Sequence, residues 1–204
     1  METGTLLRKM IAEGRITDPD TPRGRLLAAA ARQFRRKGYA NTTVRDLAAE
    51  VGILSGSIFH HVKNKEEILY GVMLEVTIAL SEAVKASVVE AKDSRSKLRN
   101  LIHNELSFLH GSTSDATAVL LTEWRSLSEA HRKTVLKERE VYDRQWEETL
   151  DQAKGEGLVQ IEPRILRQLL HGALGWSIFW YNADGDLDLE ALTDRVMLLA
   201  SKDG

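Results

Sequence analysis

The chain has 204 residues, 43% of them hydrophobic and 28% charged, with a formal net charge of -2 and no cysteine. This is an ordinary globular balance with room for one domain or two small ones, and it excludes disulfides, thiolate zinc sites and cysteine nucleophiles. The charge is uneven: residues 1–65 carry 12 Lys and Arg against 6 Asp and Glu, and the remainder carries 16 against 24, so a basic amino-terminal third, suited to phosphate, sits on an acidic body.

Chance clustering on solvated helix faces would give the same counts, so the residues themselves must decide. Residues 1–21 read as a flexible arm. Thr17-Asp18-Pro19-Asp20-Thr21-Pro22 does not continue a helix, and Thr5 to Ile16 has only a marginal helical pattern. Arg8 and Lys9 precede an apolar run too short for a signal-peptide core, so a cytoplasmic location is expected. No run of about 18 apolar residues occurs, so no membrane partner is expected.

A first helix starts at Pro22 behind the cap Thr21, repeats Leu27, Ala30, Ala31 and Phe34, and stops at Gly38. A second, capped by Thr42 or Thr43, buries Val44, Leu47, Ala48 and Val51, and Gly52 supplies a tight turn. A third runs from about Ser55 to His61, with Ile58 and Val62 inward and Ser55, Gly56, Ser57, Phe59 and His60 outward. Asn64 and Glu67 form a capping-box-like pair for a fourth, long helix reaching about Ala91. Later segments at about 95–110, 115–127, 129–155, 163–182 and 188–201 are helical in period, and no alternating strand pattern appears. The fold class is all-α, with about nine helices: a three-helix DNA-binding domain over 22–68, then a larger helical ligand-binding and dimerisation domain over 69–204.

Helix, glycine turn and short polar helix make a helix-turn-helix, which places its second helix in the major groove of DNA. Ser57 and His60 are short enough to reach base edges or phosphates, and Gly56 permits close backbone approach. Thr43 and Arg45 can grip a phosphate with a hydroxyl, helix N–H groups and a guanidinium. Lys65 adds a cation at the start of the fourth helix.

Residues 23–69 resemble the DNA-binding domain of TetR-family regulators. They match its pattern at Thr42, Thr43, Val44, Gly52, Gly56, His61, Lys65 and Glu66. They depart at Leu54, where a capping Ser is common, at Phe59, where a Tyr usually gives its hydroxyl to phosphate, at Val62 in place of Phe, and at Asn64 in place of Ser. The DNA-binding set expected from residues and resemblance together is Thr43, Arg45, Ser55, Gly56, Ser57, Phe59, His60, His61 and Lys65. The resemblance implies a repressor that binds a palindromic double-stranded DNA operator as a homodimer, joined through the last two long helices.

Gly172-Ala173-Leu174-Gly175-Trp176-Ser177-Ile178-Phe179-Trp180-Tyr181, with Glu138 to Tyr142 and Trp146 before it, is similar to segments of TetR regulators of fatty-acid and steroid catabolism. That resemblance implies a small hydrophobic effector, an acyl-CoA thioester. Its expected lining is Phe108, Leu120, Trp124, Arg139, Tyr142, Trp146, Trp176 and Trp180, although ordinary core packing would explain any single aromatic as well.

His103 and His110 share a helix face with Glu105 nearby, but no further ligand is spaced to converge, so no metal site is expected. No catalytic constellation and no cofactor motif occurs, so the chain is not expected to be an enzyme. The rival reading is a helical carrier or enzyme of lipid thioesters that does not bind DNA; the basic amino-terminal third, Arg45 and Lys65 argue against it.

Overall fold

The computed structural model describes residues 3–58 and 62–202. Among these, ten α-helices and two short 3-10 turns occur and no strand. The helices are α1 (Thr3–Ala12), α2 (Pro22–Lys37), α3 (Val44–Val51), α4 (Ser55–Ile58), α5 (Lys65–Glu90), α6 (Ser94–His110), α7 (Ser114–Thr122), α8 (Glu129–Gly155), α9 (Pro163–Trp176) and α10 (Leu189–Ala200). The chain divides into two compact units. The first takes the described residues up to Ala79 with Thr113–Glu138, and the second takes Leu80–Ser112 with residues from Arg139 onward.

In the first unit, local chemistry sets the helix ends. Thr21 caps α2 by accepting from the Gly24 N–H, with Pro22 opening the helix and Arg35, Arg36 and Lys37 in its last turn, where cations offset the exposed carbonyls. Thr43, not Thr42, caps α3, in a reciprocal box with Asp46. Thr42 is buried and donates its hydroxyl to the Gly38 carbonyl. Gly52 closes α3 at φ 72°, a left-handed conformation that side chains resist. Leu26, Leu27, Ala30, Phe34, Leu47, Ala48, Ile58, Val62, Ile68, Leu69 and Met73 form one core. Val44 packs against it partly buried, and Val51 is also half-exposed.

This unit extends beyond the segment 22–68 to include Thr113–Glu138. Val119, Leu127 and Val135, from α7 to the start of α8, share the core of Phe34 and Ile68. Within the arm expected over 1–21, the described residues include packed structure. Thr3–Ala12 is helical, Leu6 and Met10 are buried, and Thr17 bonds the Glu75 carboxylate through both its N–H and its hydroxyl.

In the second unit, Asp93 caps α6 and Asp188 caps α10, each accepting the N–H three residues on. The core gathers Leu98, Leu101, Ile102, Leu106 and Leu109 of α6, Tyr142, Trp146 and Leu150 of α8, Leu166, Leu170 and Leu174 of α9, and Leu192, Val196 and Met197 of α10. The helix expected over 163–182 ends at Trp176. Ser177 turns its hydroxyl back on the Leu174 carbonyl, and its own carbonyl accepts from Trp180 and Tyr181, which tightens the chain into a 3-10 turn.

Candidate functional site

The helix-turn-helix is built from α3, the Gly52 turn and α4. Leu47, Ala48 and Ile58 hold both helices to the core. Thr43, Arg45 and Gly56 are exposed, and Ser55 and Ser57 are half-exposed. The Arg45 guanidinium makes no ion pair with the described residues, so it is available to an external anion. The Thr43 hydroxyl is engaged with Asp46, to which it donates at 2.8 Å. Hydrogen bonds from Thr43, together with Lys37 at 3.6 Å, hold the Asp46 carboxyl below its usual range. Phe59, His60 and His61, three of the expected contacts, lie outside the described residues.

Lys65 is placed differently from the outward cation expected. Its ammonium donates to the Tyr39 carbonyl at 2.8 Å and to the Thr42 carbonyl at 2.9 Å, and lies 4.1 Å from the centre of the Tyr39 ring. It clasps the loop that carries the cap of α3. The cap of α5 also differs in detail: Asn64 accepts from the Glu67 N–H, but the Glu67 carboxylate reaches back to the Lys63 N–H.

The helix-turn-helix is tied within its unit to the segment 113–138. Arg35 bonds Asp115 at 2.9 Å, and Glu123 accepts from the Tyr39 N–H at 2.9 Å. Glu66 accepts from the Ser128 N–H at 2.8 Å and faces His131 Nδ1 at 2.7 Å, and the His131 ring stacks on Tyr70 at 4.0 Å. Burial pushes the Glu66 carboxyl up, but the hydrogen bonds from Ser128 and His131 outweigh it and leave the group below its usual range. Sequence reasoning missed these ties, because partners 62 to 84 residues apart leave no periodic signal. It took Leu54 only as a departure from the family pattern, and the side chain is 80% exposed in the turn just before α4. The signal was there, in an apolar residue at a position that calls for a polar cap.

The expected effector residues divide. Leu120 and Trp124 pack against the core of the first unit. In the second, Phe108, Tyr142 and Trp146 are buried, whereas Trp176 and Trp180 are 64% and 55% exposed and do not line an interior. Tyr142 donates to the buried carboxylate of Glu105 at 2.6 Å, and His171 Nδ1 lies 2.9 Å from the other oxygen of that carboxylate. Burial first, and Glu105 second, push the Tyr142 hydroxyl well up, so it stays the donor. Arg139 lies over the Tyr142 ring at 5.5 Å and bonds Asp143, which Arg167 also binds. His103 faces Thr193 at 3.2 Å and His110 faces Ser177 at 2.7 Å, so the residues considered for a metal are engaged with separate partners. No metal-binding cluster occurs among the described residues, and no helix of the structure is long and apolar enough to cross a membrane.

Comparison with known proteins places these features. Residues 26–71 match the bacterial regulatory proteins of the tetR family, and residues 91–202 match the tetracyclin repressor-like C-terminal domain. The HTH-type transcriptional repressor KstR2 of Rhodococcus jostii is 28% identical over 86% of this chain and 87% of its own. The fatty acid metabolism regulator protein of Bacillus subtilis is 26% identical over 85% and 91%. A crystal structure described as superantigen pfit is 42% identical, covers 99% of this chain and 100% of its own, and superposes with a TM-score of 0.81. AibR, solved in complex with isovaleryl coenzyme A and operator DNA, is 23% identical over 87% and 97% with a TM-score of 0.79, a likeness of fold.

Proposed function

The chain belongs to the TetR family of bacterial regulatory proteins, and from that premise we propose that it is a homodimeric repressor, released from a palindromic operator by an acyl-CoA thioester. It is a ligand-responsive DNA-binding regulator; the effector, the division of labour along the chain and the contact residues are the proposal. Residues 22–68 read the operator and residues 69–204 hold the effector and the dimer contact. The observation that carries the DNA reading is the unit built by the Thr43–Asp46 cap, the left-handed Gly52 and the short α4. It leaves Arg45 and Gly56 outward beside Ser55 and Ser57. In this reading Arg45 takes a phosphate, Ser57 reaches a base edge, and Lys65 holds the loop beneath Thr43. By resemblance Phe59, His60 and His61 complete the contact. The site is one of recognition, without a catalytic role, and works inside the cell, where the operator is.

The effector class is supported by the relatives' own chemistry: a fatty acid metabolism regulator on one side and a fold neighbour holding isovaleryl coenzyme A on the other. Release is a population shift. It requires the thioester to favour the form whose paired recognition helices no longer match the spacing of about 34 Å between successive major grooves. Fluorescence anisotropy on the gene's own upstream region, followed by acyl-CoAs from isovaleryl to stearoyl, tests both parts. Tight binding released by one member supports the whole reading. Tight binding that no member releases removes the effector class, and failure on every genomic fragment removes the operator.

A further inference from the structure

Polar atoms in the core of the second unit are almost all partnered. Glu105 has Tyr142 and His171, Ser177 has the Leu174 carbonyl, and Thr193 has the Leu189 carbonyl. Two buried side-chain atoms have no partner among the described residues: Trp146 Nε1 and Thr149 Oγ1. Trp146 is 2% exposed and Thr149 1%. They lie three apart on α8, hence on one face, and that face continues through Tyr142, whose ring meets that of Trp146 edge-on at 6.4 Å.

The orientation of Thr149 is not the default for a helical threonine. Thr77, Thr117, Thr122, Thr134 and Thr193 each turn the hydroxyl back on the carbonyl four residues earlier. Thr149 makes no such bond, so its hydroxyl is left for another acceptor, as is the indole N–H. Two buried donors on adjacent turns, in a core otherwise satisfied, are a costly arrangement to keep without a use. Trp146 belongs to an aliphatic and aromatic core with Leu101, Leu106 and Leu150.

We propose that Trp146 Nε1–H and the Thr149 hydroxyl together seat the carbonyl oxygen of the effector's thioester, with the acyl chain among the apolar side chains around them. This rests on the acyl-CoA reading and adds the group that the site recognises. Tyr142 is not part of the seat, because its proton is committed to Glu105. The seat makes recognition depend on the carbonyl oxygen, which a matched thioether lacks at nearly the same shape.

The test is calorimetric binding of a series of acyl-CoAs and of the S-alkyl-CoA thioethers of equal chain length. The probes are isovaleryl-, palmitoyl- and stearoyl-CoA with their thioether partners. Wild-type protein is expected to prefer the best thioester over its thioether by about tenfold, or ~1.4 kcal/mol. Thr149→Val and Trp146→Phe should each reduce that preference at least threefold. Thr149→Val keeps the side-chain shape and removes only the hydroxyl, so it remains informative where loss of the indole disturbs folding, and melting curves identify that case. Equal binding of thioester and thioether by wild-type protein overturns the seat while leaving the effector class standing. So does a preference that survives in Thr149→Val and in a folded Trp146→Phe. Failure of wild-type protein to bind any thioester overturns the effector class, and the seat with it.

Discussion

Lys65 holds the Tyr39 carbonyl at 2.8 Å while its ammonium sits 4.1 Å from the centre of the Tyr39 ring. With its second bond, to the Thr42 carbonyl, the side chain joins the start of α5 to the loop leading into α3. A basic residue at the start of a helix beside a DNA-reading element invites assignment to a phosphate, yet the geometry gives two of its three donors to the protein.

The two cations of this region should therefore separate in experiment. Lys65→Met leaves two carbonyls without their charged donor and should destabilise the fold by ~1–3 kcal/mol, weakening operator binding through the misplaced loop with little change in salt dependence. Arg45→Ala should leave the melting temperature nearly unchanged and lower the slope of log affinity against log salt by about 0.9, the signature of one lost phosphate contact. Denaturant melts and anisotropy at several salt concentrations measure both. An unaltered salt slope in Arg45→Ala would sink its phosphate role.

Leu54 is expected to take part in reading the operator. It is 80% exposed at the entrance to α4, with Ile53 38% exposed beside it. An apolar side chain at that place matches the methyl group of thymine rather than a phosphate. Leu54→Ser should cost about 1 kcal/mol, the scale of one buried methyl group, at operators with thymine under the turn and little elsewhere. Ser57→Ala should alter preference at a neighbouring base pair. Selection from a randomised operator library reads both changes, and an unchanged consensus in Leu54→Ser would show that the turn does not touch bases.

Much of this was readable from the chain because it is local. The Thr21 and Asn64 caps, the Gly52 turn and the inward set of Leu47, Ala48 and Ile58 follow from side chains acting within a few residues of themselves. What sequence could not reveal is set by partners far away. Leu6 and Met10 make too short an apolar pattern to announce a packed helix. Lys65 points inward because carbonyls 23 and 26 residues earlier accept it. Trp176 and Trp180 belong to an apolar segment whether they line a pocket or face outward, and only the break at Ser177 separates the two.

The Glu66 tie to Ser128 and His131 gives a pH dependence of known sign. The Glu66 carboxyl titrates below its ordinary 4.5 in the folded protein, so its contribution is present above the unfolded value and is lost as pH falls through the folded one. Glu66→Gln should destabilise the protein by ~1–2 kcal/mol at neutral pH, the scale of a charge-assisted hydrogen bond, and the difference from wild type should close at acid pH below about 4.5. Urea melts of both proteins across that range measure it. A gap that stayed constant into acid would mean that the carboxylate charge is not what binds Ser128 and His131.

The apolar surface of the second unit should be consumed by a second copy of the chain. Ile165 and Leu169 on α9, Trp176 at its end, Phe179 and Trp180 after it, and Leu198 and Leu199 on α10 are all more than half exposed, and the Trp176 and Phe179 rings meet at a tilt of 50° with their centres 4.6 Å apart. A lone chain in water has no use for so many large apolar groups on neighbouring elements, whereas an isologous contact buries the same patch on both subunits. The aromatic members are the residue types that dominate such contacts. Trp176→Glu removes one of them and places a charge where the partner would desolvate it. It should weaken dimerisation by at least ~2 kcal/mol, or about thirtyfold, and with it the affinity for a two-half-site operator. Sedimentation over a range of concentrations distinguishes this from misfolding, because a folded monomer keeps its helical circular dichroism. If Trp176→Glu stayed dimeric at micromolar concentration, the contact would have to be sought on another face.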